Sequence, residues 1–593
     1  MLYGIIKYIR GARNIYSPDN GFGGVVMFRK PVLFLFCFVL VFCAVFSSCA
    51  ESFRFYVSPD GDFSVSAITL TKVSGRYYLF LPGQVRLKDL RIGFSGTQEE
   101  VFLNGVPLQK GSSAVILRSE NILSVGSHEI SFEMMQGSEG LPVLYITTES
   151  GSIDKINENK KYKEPGNLIM TGPDGNTNYE GALTYIKMRG NASTKFPKKN
   201  YQIKLEKGKD LLGMGKAKKW ILSGNWLDKS FLRNELSFDL ADYMNIPYTP
   251  QHHQAELYIN HEYAGLFLFS EKVEINNNRI EIRNLEEETE NLNRKSLSSF
   301  TKIVRKLKNG VKIKAYDIPN IPEDISGGYL IEYESIDDRY NAEPSGFLTK
   351  REISIVIKSP EYASVSQAAY IASIMQGFEN AIFSSDGIDP DTGKHFYEFV
   401  DMQSLVRKYL LNEFIKNYDG NSSSEFFYKP EDSVSGLVYA GPVWDLDNSY
   451  ADYAREYNQK LLATPEGLYI SGALTAKNWW PNLYRQPEFY DAVIEYFNMD
   501  FRIAVEIILG YRTDPSGRLK SLDEYQNAIR KSAEMNYVLF PYLKKERGVL
   551  QTGETFQENI DYLRSFINDR MEYLNREWIE NDENHMDLQF LVR

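Results

Sequence analysis

Two stretches of this chain concentrate side chains able to do chemistry. The first runs Asn417-Tyr418-Asp419-Gly420-Asn421-Ser422-Ser423-Ser424-Glu425, and after a loop comes Gly441-Pro442-Val443-Trp444-Asp445-Leu446-Asp447. The run Leu437–Ala440 between them predicts a short strand, so a hairpin-like unit would carry two acidic loops to one place. Paired carboxylates on loops suit magnesium, because a hard cation takes oxygen ligands. They also suit one aspartate as base beside another as metal ligand. Lone loop aspartates are more often Asx-turns and helix caps. The Trp-Asp-x-Asp context of Asp445 and Asp447 favours function, whereas Asp419 alone is evenly balanced between the two readings.

The second stretch is basic. Lys187-Met188-Arg189-Gly190-Asn191-Ala192-Ser193 leads through Thr194-Lys195-Phe196-Pro197-Lys198-Lys199 into Asn200–Leu205. A strand enters a Gly- and Ser-containing turn and another leaves it, with cations at both mouths. Backbone N–H groups of such a turn, with Arg and Lys, can hold phosphate oxygens. A basic hairpin by itself is more often a solvated surface. No histidine pattern suits a metal: His261-Glu262 lacks the second His of H-E-x-x-H.

The elements that would position these groups change in texture along the chain. Over residues 51–140, short alternating runs (Phe53–Val57, Tyr77–Leu81, Leu90–Phe94, Ala114–Leu117, His128–Phe132) predict strands of a small β-sandwich, with a hairpin turn at Asn104-Gly105. Longer strands follow at Leu183–Met188, Tyr201–Leu205, Ala255–Ile259, Gly265–Ser270 and Gly328–Tyr333. Helical spacing marks Leu232–Met244, residues 362–384 and residues 401–416, the last with Asp401 as cap. Residues 284–320 predict an inserted, partly mobile helical segment. Glu488–Phe497, Leu522–Met535 and Thr555–Arg576 predict C-terminal helices. Asp391-Thr392-Gly393 reads as a turn, and Trp479-Trp480 as core rather than a sugar platform.

In this order the segments resemble the CotH family, the spore-coat protein H kinases. The resemblance is carried by MRGNASTKFPKKNYQIKL (Met188–Leu205), Leu211–Ala241 with its Trp-Ile-Leu, Asp and Leu-Arg-Asn elements, Glu256–Glu274, GGYLIEYE (Gly327–Glu334), IVIKSPE (Ile355–Glu361), the NYDG loop and GPVWDLD. It spans roughly 180–450 and leaves residues 51–140 uncovered. It implies an α+β, atypical protein-kinase-like domain using ATP and Mg2+ or Mn2+. Asp419 would take the catalytic-loop role, Asp445 the metal-binding role, and Asp447 that of a second ligand or orienter. Lys199 would be the phosphate-contacting lysine, with Lys198 and Lys204 as rivals. Arg189, Gly190, Asn191 and Ser193 would lie over the phosphates, and Glu235 would pair with the lysine. Phosphoryl transfer needs mostly positioning and charge neutralisation, so this set is chemically sufficient. One departure stands out: Ser424 occupies the position, five residues after the catalytic-loop aspartate, where kinases place a metal-binding Asn. Asn421 or Glu425 would have to substitute.

Size and composition frame these expectations. At 593 residues the chain exceeds one hydrophobic core. A net charge of −11 disfavours general nucleic-acid binding, which rewards clustered Lys and Arg. Met27, Arg29 and Lys30 open an export signal whose apolar run, Pro31–Phe46, ends in Ser47-Ser48-Cys49. Translation is expected to start at Met27 and Cys49 to become a lipidated first residue. With Cys37 and Cys43 inside the signal, the mature chain would have no disulfide and no thiol nucleophile. The expected organisation is a signal over 1–49, a β-sandwich-like module over 51–140, the kinase-like domain over 141–480 and its helical region over 481–593. The expected function is phosphorylation of Ser or Thr in exported or surface proteins by a membrane-anchored lipoprotein that binds no nucleic acid. The alternative is a surface scaffold or glycan-binding protein that keeps the kinase-like frame without turnover.

Overall fold

A computed structural model describes residues 53–59, 61, 63–455, 458–472, 478–541 and 548–580. The expected signal, Met27 and Cys49 lie outside them. The chain divides into two compact units. One is residues 1–54 with 94–98, and the other, treated below, is residues 55–93 with 99–593.

The N-terminal part of this second unit is a six-stranded sheet. Its strands lie in the order Thr71–Val73, Arg76–Leu81, His128–Gln136, Glu120–Val125, Val101–Leu103, Val106–Pro107. Asn104 and Gly105 form a two-residue hairpin turn, both with positive φ (53° and 78°), as that turn requires. Ala114–Ile116 is a single 3-10 turn rather than the expected strand.

Next comes a closed barrel of seven strands: Val143–Thr148, Glu164–Thr171, Thr177–Arg189, Asn200–Asp210, Lys216–Ser223, Glu262–Glu271 and His252–Ile259. The last closes back on the first in parallel, Leu144 opposite Leu257. Period-two alternation fills the interior with Leu183, Ile186, Met188, Tyr201, Ile203, Trp220, Leu222, Phe267 and Phe269. The residues between them, Tyr185, Lys187 and Arg189, therefore line the outer face.

A seven-stranded sheet follows, in the order Lys302–Lys306, Lys312–Tyr316, Ser345–Leu348, Ser354–Ser359, Tyr329–Tyr333, Glu425–Lys429, Tyr439–Ala440. It packs with helices Arg233–Tyr243, Val365–Ile382, Met402–Ile415, Leu522–Leu539 and Phe556–Asn575 in one large core. The fold class is α+β. Residues 284–320 depart from expectation. Leu285–Leu292 is helical, capped when Glu287 N donates to Asn284 Oδ1, but Lys302–Lys306 and Lys312–Tyr316 form an antiparallel pair. Charged Lys302, Arg305 and Lys306 suit that strand's place at the sheet edge.

Helix Met402–Ile415 begins where Ser404 N donates to Asp401 Oδ1 and ends at Lys416 in the left-handed region, one residue before the NYDG loop. Its Glu413 carboxylate accepts from Tyr469 N (2.6 Å), Ile470 N (2.9 Å) and Arg570 Nη2 (2.8 Å). Arg570 also donates to the Pro465 and Gly467 carbonyls. Arg570 and Glu413 side chains are both 0% exposed. Removing one partner strands the other charge in the core, so Arg570→Met should lower stability by about 3–5 kcal/mol in urea unfolding. A double substitution with Glu413→Gln should cost less than the sum of the single changes.

Candidate functional site

The strand pair Glu425–Lys429 and Tyr439–Ala440 joins the two acidic loops as expected, Phe427 opposite Ala440. The loops are also tied directly: Tyr418 N donates to Asn448 O at 2.9 Å, and Tyr450 N to Ile415 O at 2.6 Å. Around Asp419, backbone bonds set the turn. Asp419 N donates to Asn417 Oδ1, and Ser422 N and Ser423 N donate to Asp419 O. The Trp480 indole N–H fixes Gly420 O from below at 3.1 Å. Trp479 and Trp480 are buried, as core residues.

The second loop rests on helix Arg233–Tyr243. Asn234 Oδ1 accepts from Leu446 N at 2.8 Å, and Arg233 Nε donates to Ser449 O at 3.0 Å. Arg233 is held by Asp228 at 2.5 Å, both side chains fully buried, and Asp228 also accepts from Ser230 N, Ser230 Oγ and Arg233 N. The Trp444 ring lies between Phe238, stacked at 6.1 Å, and the Arg189 guanidinium at 5.0 Å. Asp445 has φ +61°, a left-handed conformation that non-glycine residues adopt at some cost and that recurs at functional sites.

Asp419, Asp445 and Asp447 lie within reach of one another's charge. Burial, then Asp445, push the Asp419 carboxyl up to about 7, against the pull of Arg339. Asp445 is exposed as a residue, yet protein crowds its carboxylate and raises it, while Arg189 and Arg339 oppose the rise. Asp447 is raised well above the ordinary carboxylate range by burial and by Asp445, Asp228 and Asp419. The site therefore crowds carboxyls beyond what its own cations offset, which favours their protonated forms.

Cations gather on the outer face of the barrel. Lys163, Lys187 and Lys204 place their ammonium groups 5.3, 5.9 and 6.0 Å from the Tyr185 ring centre. Burial, then Arg189, Lys272, Lys163 and Lys160, lower Lys187. Lys272 and Lys219 share Glu274 at 2.9 and 3.1 Å. Of the three lysines weighed from sequence, Lys204 belongs to this face. Lys198 does not: it is 2% exposed, donates to Leu266 O and Asn536 Oδ1, and is ringed by Phe231, Phe267 and Phe540. Lys199 donates to Thr194 O at 2.9 Å and braces the turn. Glu235 pairs with neither. It accepts from Gln254 Nε2 and is pushed up to about 7 by burial and Asp239. In the turn, Gly190 has φ +103°, a backbone conformation that favours glycine. Asn191 accepts from Lys160 Nζ at 2.8 Å.

The residues missed from sequence are Lys187 as a phosphate candidate, Lys160, Lys163, Lys272 and Arg339. Lys187 carried a signal, since it alternates with buried Ile186 and Met188 on one strand. The others depend on contacts between distant segments.

Among the described residues, no three His, Cys, Asp or Glu side chains converge as a metal cage. A magnesium ion bound with a nucleotide uses one or two carboxylates, phosphate oxygens and water, which fits Asp445 with Asp447 or Asp419. Ser424 has φ +61°. Neither substitute considered for it stands open: Glu425 is buried against Lys408 (3.2 Å) and Asn412, and Asn421 pairs with Asn478 and Tyr469 O.

The Asp419 shift fixes a pH dependence. Its carboxyl titrates near 7 folded and about 4 unfolded. Between those values the folded state holds the extra proton, so stability falls as pH rises through the window and then levels off. Asp419→Asn removes this loss. In metal- and nucleotide-free buffer the variant should melt above the wild type at pH 8, with the difference closing toward pH 4.

The family model for CotH kinase protein matches residues 186–574. No curated protein matches the chain in direct sequence comparison.

Proposed function

Because the chain belongs to the CotH kinase family, we propose that it transfers the γ-phosphoryl group of ATP to a Ser or Thr hydroxyl of an exported or surface protein. The observation that carries this reading is the setting of Asp445: the Arg189 guanidinium of the barrel lies 5.0 Å from the ring of the adjoining Trp444, and the bond from Tyr418 N to Asn448 O ties the Asp419 turn to the same loop. Arg189, Lys187, Lys204 and Lys272 hold the nucleotide's phosphates on the barrel. Asp445, with Asp447, would hold Mg2+ or Mn2+. When bound, the ion neutralises charge on the phosphate oxygens. Asp419, set by the Asn417 turn, orients the acceptor hydroxyl and takes its proton. An ATP-bound, metal-loaded enzyme of kinase-like architecture, with the barrel facing the acidic loops, is consistent with this division of labour. On the same reading the protein is exported and anchored to a membrane by lipid on Cys49. Among the described residues no helix is long and apolar enough to cross a membrane.

Transfer of labelled phosphate from ATP by the chain from Ala50 onward, with magnesium or manganese, tests the reading. Asp419→Ala and Asp445→Ala should each reduce it by about a thousandfold. Asp445→Asn should be as inactive yet fold normally, since Asn tolerates left-handed backbone. Lys187→Ala should raise the KM for ATP about tenfold with a smaller change in kcat. In cells, a fatty-acid label should enter the wild type and not Cys49→Ser.

A second reading, a surface scaffold without turnover, has one specific support: Ser424 at the expected Asn position, with Asn421 and Glu425 committed elsewhere. It predicts neither nucleotide binding nor transfer by the wild type.

A further inference from the structure

One charged side chain of the site has no task in this scheme. Arg339 lies on the short helix Asp337–Ala342, which follows strand Tyr329–Tyr333 of the second sheet. Its Nη1 donates to Ser423 Oγ at 3.3 Å and stands 3.5 Å from Glu334 Oε2. Both contacts use Nη1, whereas a guanidinium offers five donors in a planar fork suited to phosphate oxygens. The side chain is 32% exposed, so it is anchored yet reachable.

Its neighbourhood is specific. Ser423, which it contacts, also donates to Asp419 Oδ1 at 3.4 Å, so Arg339 and the base share one hydroxyl. Its charge acts on both Asp419 and Asp445. The other guanidinium acting on Asp445 is Arg189, which comes from the barrel and is planted on Trp444. The two guanidiniums thus reach the acidic loops from different sheets. Ser423 also adjoins Ser424, where a second metal-binding side chain was expected.

We propose, on the premise of the kinase reading, that Arg339 is a catalytic residue that contacts the γ-phosphoryl oxygens during transfer and supplies the positive charge a second metal ion would otherwise bring. In that step the acceptor oxygen bonds to the γ-phosphorus and its proton passes to Asp419. The bond from the γ-phosphorus to the β,γ-bridging oxygen breaks, and ADP leaves with the electron pair. Charge is spread over the three equatorial oxygens in transit, and a preorganised guanidinium there stabilises the transition state more than bound ATP.

The test compares Arg339→Ala and Arg339→Lys with wild type. The expected result is a fall in kcat of about a hundredfold or more in Arg339→Ala, with the Kd for ATP changed by less than about threefold. Added ethylguanidinium should restore part of the Arg339→Ala rate and leave the wild type unaffected. A kcat kept within about threefold, or a loss that guanidinium does not relieve, overturns the inference. A second measurement needs no acceptor. Wild type should bind ADP with aluminium fluoride more tightly than ADP, and Arg339→Ala should lose that preference; an equal preference in the variant overturns the inference. A wild type that neither binds nucleotide nor transfers phosphate overturns the kinase reading itself. A wild type that does both, with Arg339 variants to match, overturns the role of Arg339 alone.

Discussion

The buried ion pair of Asp228 and Arg233 is the constraint from which the acidic site is hung. Both side chains are withdrawn from water, and burial of that kind costs several kcal/mol per ion, which hydrogen bonds to the lone pairs and protons offset. Here Asp228 is met by two backbone N–H groups, a hydroxyl and the guanidinium. The guanidinium in turn reaches the Ser449 carbonyl. With Asn234 gripping Leu446 N, the helix fixes the chain on both sides of Asp447. An apolar pair could stabilise this core as well, but it could not hold a polar loop by its backbone in one register.

From that anchor the rest follows by short steps. The held loop presents Trp444 between Phe238 and Arg189, so the barrel and the helical core meet through one aromatic ring. The same loop is bonded to Tyr418 and Ile415, which carries the NYDG turn to a fixed distance from Asp445. Carboxylates that repel one another are thereby kept together by backbone bonds made behind them. The resulting crowding of carboxyls is a property of the scaffold, and a cationic barrel face lies beside it.

Much of this was legible in the sequence because it is local. The Asx-prone NYDG turn, the Trp-Asp-x-Asp loop and the strand between them are short-range signals, and Asp401 is a helix cap read from residue type alone. What failed was a question of facing. Lys198 and Lys199 follow a turn whose exit direction the sequence does not specify. Lys198 turns inward because Leu266 O and Asn536, distant along the chain, accept its protons. Lys302–Lys306 falls in the polar stretch 284–320 that reads as an inserted helical segment, yet pairing with Lys312–Tyr316 decides the outcome. Arg339 sits in no recognisable motif, and only the packing of the second sheet brings it to Ser423.

The bond between Arg570 and Glu413 has a consequence for the order in which the molecule becomes competent. The two residues are 157 positions apart, and Glu413 organises both the end of the helix before NYDG and the segment Tyr469–Ser471. A chain emerging from a ribosome has Asp419 in hand long before Arg570 arrives. Until then Glu413 lacks its ion-pair partner, and contacts of such sequence separation tend to form late. The acidic turn would therefore mature last, after the barrel has formed. A nascent chain would carry the residues of the site without its geometry.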